Sequence, residues 1–232
     1  MRTPLYYDYT LGWTQLFQYA PSIIMITVLV LGFLVAGIFS GEFQLKADAV
    51  FYSSYHGRDR AISAKVKAGF LIVTAVYWGM VLLYSVIVLG ILGTDGAGCM
   101  IQAYMGGWKS FYNITNWQEY VIIILGGYIG NLFMAFLTML VSAKTGSAVV
   151  AVMIPFILIF IPSFISGSSI SILSKVLGLL PDQLLQMNMA VRYFNLYRIG
   201  RKIMGAVGIL PVLYGVLTVG MAPVIYGIYK RK

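Results

Sequence analysis

Few residues in this 232-residue chain could do chemistry, and their spacing excludes more than it admits. His56 is the only histidine and Cys99 the only cysteine. A metal site needs three or four converging ligands. No pair of carboxylates shares a helical face within an apolar run, so His56 reads as a polar loop residue. Cys99 has no partner for an internal disulfide and reads as an ordinary loop or interface thiol. A phosphate-cradling loop needs a glycine-rich turn followed by Lys and Ser or Thr. Gly93, Gly96 and Gly98 are followed by no such lysine, and Trp108 separates Gly107 from Lys109 and Ser110. These residues predict a chain that is not an enzyme and that itself binds no nucleotide, metal or other cofactor.

The elements that would position any site are apolar. Hydrophobic residues make up 60% of the chain and charged ones 10%, against about a quarter charged in soluble domains. Five runs are long and apolar enough to read as membrane spans, at about 22–39, 68–92, 119–141, 148–165 and 203–229, in one all-α, polytopic transmembrane bundle covering 1–232. The aromatic start, with Tyr6, Tyr7, Tyr9, Trp13, Phe17 and Tyr19, reads as an interfacial lead-in to a helix opening at Pro21. It has no signal-peptide pattern. Pro155 and Pro162 predict a kink or break in the fourth run. Ser142 to Ser147 reads as a tight polar link.

Inside these spans the polar residues are mild: Thr74, Tyr77, Tyr84, Ser85, Tyr128, Asn131, Thr138, Tyr214 and Thr218. Asn131 suits an interhelical hydrogen bond better than a substrate contact. Glu119, at the edge of the third span, is placed where solvent or headgroups satisfy it. That scarcity of buried charge argues against an ion-coupled carrier. Gly126 and Gly130 have the spacing that lets another helix approach closely, within the chain or between two copies.

Two segments are polar enough to lie outside the bilayer. Residues 41–67 (GEFQLKADAVFYSSYHGRDRAISAKVK) hold a helix-compatible run that Asp48 can cap and Gly57 can stop. Its apolar face, Val50, Phe51, Tyr52 and Tyr55, fits a cleft on a partner or the lipid surface. Residues 166–202 are read as short re-entrant or interfacial helices. With 41–67 in the cytoplasm, nine lysines and arginines lie on that side and seven on the other, a small margin in the direction of the positive-inside rule. The formal charge of +9 is thereby assigned to anionic lipid and topology, not to nucleic acid.

The order Ile38-Phe39-Ser40-Gly41-Glu42, Asp48 to Ser54, Gly57-Arg58, then Ala64-Lys65 entering a span resembles the membrane subunits of type 2 ABC transporters, found among bacterial peptide and antibiotic exporters. The close of the chain, Leu180-Pro181-Asp182-Gln183 through Tyr197 to Gly200 and a last span ending Tyr229-Lys230, is similar to the same permeases. The usual first transmembrane helix of that family, and the helix that precedes it along the membrane, have no counterpart here. The resemblance implies a coupling helix in 41–67 that docks a cytoplasmic ATPase subunit, with Glu42, Asp48, Phe51, Tyr52, Tyr55, Arg58 and Lys65 making that contact. It implies a gating segment at the outer face that includes Pro181, Asp182, Arg192 and Tyr197. Further implications are a second permease subunit, identical or related, ATP and Mg on the partner chain, and a multi-pass place in the bacterial inner membrane with the C-terminus cytoplasmic. An apolar, aromatic wall suits a peptide, antibiotic or other amphiphile. The rival expectation is a membrane sensor or scaffold that transports nothing and docks a cytoplasmic partner.

Overall fold

The computed structural model describes residues 10–44, 57–103, 107–165, 175, 177–193, 196–199 and 202–230. They form a mostly helical bundle: α1 (Leu11–Gln44), α2 (Gly57–Leu92), α3 (Asn116–Thr145), α4 (Ala148–Ile165), the short α5 (Pro181–Leu185) and α6 (Met187–Arg192), and α7 (Ala206–Lys230). Four of them, α1, α2, α3 and α7, are long and apolar enough to cross a membrane, and α4 contributes a shorter apolar helix. This is a membrane protein.

The helices extend well beyond the apolar runs. Instead of opening at Pro21, α1 starts at Leu11 and carries Pro21 inside it. Trp13, Leu16 and Phe17 are buried in the core, so packing outweighs the headgroup preference of these aromatics. Likewise α2 opens at Gly57, which begins a helix here, with Asp59 in its first turn. Arg58, Arg60, Lys65 and Lys67 therefore lie on a helix, not in a loop. Ser142 is not in a link but in the last turn of α3, fully buried.

At the centre is α3, of whose apolar stretch 61% is buried, against 22% for α2 and for α7. Its start is fixed by Thr115, whose hydroxyl accepts the Gln118 N–H while the Gln118 side chain accepts the Thr115 N–H. Around it, α1 packs through Ile24 and Val28 near one end and through Leu31, Val35 and Phe39 near the other.

Between α6 and α7 the chain is not helical. An antiparallel hairpin, β1 (Leu196–Ile199) with β2 (Lys202–Gly205), pairs Leu196 with Gly205 and Ile199 with Lys202. The last span accordingly begins at Ala206, after Ile203 has been used in a strand. Helices alone were expected over 166–202; β-branched and aromatic residues around Tyr197 and Ile203 suit a short ribbon equally well.

Candidate functional site

An apolar bundle has few places for an ionisable group, so those it buries define the candidate site. Glu119, in the first turn of α3, is fully buried. The expectation that solvent or headgroups satisfy it is corrected: α6 packs against that turn, and Gly96, Ala97 and Cys99 hydrogen-bond to Asn116 and Trp117 beside it. Arg192, the last residue of α6, brings its Nε within 3.6 Å of Glu119 Oε1 and is itself only 18% exposed in its side chain. Beside this pair the Ser110 hydroxyl donates to the Val191 carbonyl at 2.7 Å, and Asn116 donates to the Gly96 carbonyl at 2.9 Å.

One turn before Arg192, on the same face of α6, Asn188 donates from Nδ2 to the Phe17 carbonyl of α1 at 3.2 Å. That carbonyl needs a donor. Its helical partner four residues on is Pro21, which has no N–H. Asn188 thus supplies the hydrogen bond that the proline removes, which explains how α1 runs through Pro21 and why α6 is tied to it.

Farther along α3, Gly126 and Gly130 are where α5 and α6 sit. A Cβ on Gly126 would lie 2.7 Å from Met187 Cε, and one on Gly130 would lie 2.7 Å from Leu185 Cδ2. The close approach read from this spacing is therefore to α5 and α6 of the same chain. Gly130 is roughly 21 Å along the helix axis from Asn116, so the 181–192 segment runs back along about half of α3.

Pro181 is the first residue of α5 and is buried. Asp182 follows, 2% exposed. Its Oδ2 accepts a hydrogen bond from Gln183 Nε2 at 3.0 Å, while Oδ1 has no hydrogen-bond partner among the described residues. Burial pushes the Asp182 carboxyl above the usual carboxylate range, and the Gln183 hydrogen bonds only partly offset it. From α7, Tyr214 donates to the Leu179 carbonyl at 2.7 Å, holding the turn that leads into α5. Asn131 spends its amide on the Gly127 carbonyl of its own helix, not on a neighbouring one. Tyr197 lies in β1 and donates to the Lys175 carbonyl at 3.1 Å. The structure thus gathers Pro181, Asp182 and Arg192 on one helix pair and leaves Tyr197 on the adjoining hairpin. Asn188 has no place in the sequence reading, Ser110 enters it only in the rejected phosphate loop, and Glu119 is singled out there without its partner Arg192. A glutamate at the head of an apolar helix and Asn188 spaced four residues before Arg192 were the available signals.

Of the residues expected to meet an ATPase, the described ones lie at the other end of the bundle. Asp48, Phe51, Tyr52 and Tyr55 lie outside the described residues. Glu42 falls on the last turn of α1 and Arg58 on the first turn of α2. Lys65 places its Nζ 5.1 Å from the centre of the Phe39 ring of α1, a cation–π contact. Here Ser142 of α3 enters the α1 ladder: its hydroxyl donates to the Ala36 carbonyl at 2.6 Å and accepts the Ser40 N–H at 3.1 Å. Tyr226 of α7 hydrogen-bonds Asp59 of α2.

The polar side chains between α2 and α3 serve packing. Tyr77 donates to the Ile124 carbonyl, Tyr120 to the Ser85 hydroxyl, and Thr74 pairs with Tyr128. What the 181–192 seam can do chemically is hold a proton or a fixed charge inside an apolar bundle. In comparison with known proteins, no family model matches the chain, and no curated protein and no solved structure matches it.

Proposed function

We propose that this chain is the permease subunit of an ATP-driven transporter of the type 2 ABC kind, working with a separate ATPase and a second permease subunit. The observation that carries this reading is the pair of attachments on α3. One end is hydrogen-bonded into α1 through Ser142, beside the connection between α1 and α2. The other end carries the buried 181–192 segment. A pull on α1 is thereby transmitted along a single rigid helix to the opposite end of the bundle.

In this reading α1, α2, α3, α4 and α7 are five crossings of a bacterial inner membrane. The connection 41–67 and the C-terminus face the cytoplasm, and 181–192 is a re-entrant gate at the outer face. The 34 and 36 residues of α1 and α2 correspond to about 50 Å each, against a hydrocarbon core of about 30 Å. The surplus of α2 lies before Ala68, at the end where the 41–67 segment would meet a soluble ATPase carrying ATP and Mg. The cargo is a peptide, antibiotic or other amphiphile moved outward by alternating access. An aromatic groove of about 550 Å³ between α2 and α3, lined by Trp78, Trp117 and Tyr120, is suited to such a molecule.

The test is purification from native membranes. The expected result is a co-purifying chain with a complete nucleotide-binding motif and ATP hydrolysis by the complex, both lost on Phe51→Asp with Arg58→Glu. A purified protein that hydrolyses no ATP and retains no such chain overturns the reading.

A further inference from the structure

Among the described residues, three of the open grooves along the sides of the bundle have almost wholly apolar walls. One lies between α2 and α3 and is lined by Trp78 and Leu82 among others; one lies between α1 and α4, lined by Phe33 and Phe156. Neither is lined by a charged residue. The third differs. It is a groove of about 660 Å³ between α2, α3 and α7, walled by Phe70, Leu71, Leu132, Phe136 and Val219, and Lys67 lines it at one end. Among the described residues Lys67 has no ion-pair partner. The neighbouring charges are turned elsewhere, Lys65 to the Phe39 ring and Asp59 to Tyr226.

The position of Lys67 along the bundle gives the groove a direction. Helix α2 begins at this end while α3 and α7 finish here, so the groove runs from the end that bears the 45–56 connection toward the middle of the bundle. A cation at the rim with an apolar trough leading inward matches a molecule with an anionic head and a hydrocarbon tail. Its volume is within the range that ordinary ligand sites occupy. We propose that this groove is a binding site for an anionic phospholipid, with the phosphate at Lys67 and one acyl chain along Phe70, Leu132 and Phe136. The proposal depends only on the chain being in a membrane and is independent of any transport activity.

Thermal unfolding of the purified full chain in detergent tests it, with phosphatidylglycerol or phosphatidylcholine of identical acyl chains added in turn. Phosphatidylglycerol should raise the midpoint above phosphatidylcholine by about 2–4 °C, and Lys67→Gln should abolish the difference while Lys67→Arg keeps it. Gly215, which lines the trough, has no atom within 4 Å of an added Cβ. Gly215→Leu should therefore occupy the tail site and remove the preference with Lys67 intact. Gly90→Leu, which intrudes on the groove between α2 and α3 with equal freedom, should leave the preference unchanged. Equal effects of the two lipids, a preference that survives Lys67→Gln, or inorganic phosphate alone reproducing the shift overturns the proposal. If Gly215→Leu fails to fold, native mass spectrometry of Lys67→Gln decides: loss of retained phosphatidylglycerol is expected, and unchanged retention overturns it.

Discussion

The two ends of the bundle are held in different ways. At the end where α3 begins, a buried ion pair, an asparagine bonded to a proline-orphaned carbonyl and a serine bonded to the Val191 carbonyl fix the 181–192 segment. At the end where α3 finishes, Leu31, Val35, Phe39, Ile62, Met139 and Ile225 form an apolar cluster, with Ser142 as the chief polar link between α1 and α3. Directional bonds specify one arrangement, because moving a partner leaves a buried polar group unsatisfied. Apolar contacts are non-directional, and packed helices can slide past one another at small cost. The difference makes the 181–192 end a latch of directional bonds, while the other end rests on apolar packing around the Ser142 link.

The ion pair is the largest element of the latch. Glu119→Gln leaves Arg192 facing a neutral group in a mostly buried setting and should destabilise the fold by about 3 kcal/mol, within the range seen when one partner of a buried pair is removed. Adding Arg192→Met should restore much of that loss, since the uncompensated charge is gone. Unfolding midpoints of the single and double variants in detergent check this. If Glu119→Gln is neutral, the latch is not electrostatic and the contrast between the two ends weakens.

The Asn188 bond provides a second test with a built-in repair. Asn188→Leu should cost about 2 kcal/mol by leaving the Phe17 carbonyl without a donor. In a Pro21→Ala background the helix recovers its own N–H for that carbonyl. The same substitution should then cost less than half as much. A double-mutant cycle over Pro21 and Asn188 measures the coupling directly, and additive losses would show that Asn188 acts through packing alone.

Much of this bundle was legible in the residues, and the exceptions have identifiable causes. The fourth apolar run matches α4 at both bounds because Lys144-Thr145-Gly146-Ser147 precede it and Ser166-Gly167-Ser168-Ser169 follow it, a sharp change of polarity on each side. Hydropathy places the starts of α1 and α2 late, since it marks where a helix meets lipid and not where it begins. The seam around Glu119 was hidden for another reason. A single carboxylate at a span edge is satisfied equally well by water or by a distant arginine, and only the fold brings Arg192 from 73 positions away. Gly126 and Gly130 announced a close approach without naming what approaches. The hairpin after α6 has one signal in the residues, Gly200 opening the two-residue link Gly200-Arg201, and a lone glycine there marks a helix end equally well.

Asp182 gives the smallest effect and the sharpest distinction between the ends, because the latch should respond to pH there. Its folded value is raised by burial, so the folded state binds the proton more tightly than the unfolded chain. Below the ordinary carboxylate range both states are protonated and the residue leaves stability unchanged. As pH rises past that range the unfolded chain releases its proton first, and stability falls until the raised folded value is passed. Asp182→Asn removes this fall. The variant should match the parent at about pH 3 and exceed it by on the order of 1 kcal/mol at about pH 7. Protection of the 181–192 amides against hydrogen exchange should rise with it, while that of residues 132–143 of α3 should not. Equal gains at both ends would mean that Asp182 sets the stability of the whole bundle, and the two ends would then be one cooperative unit.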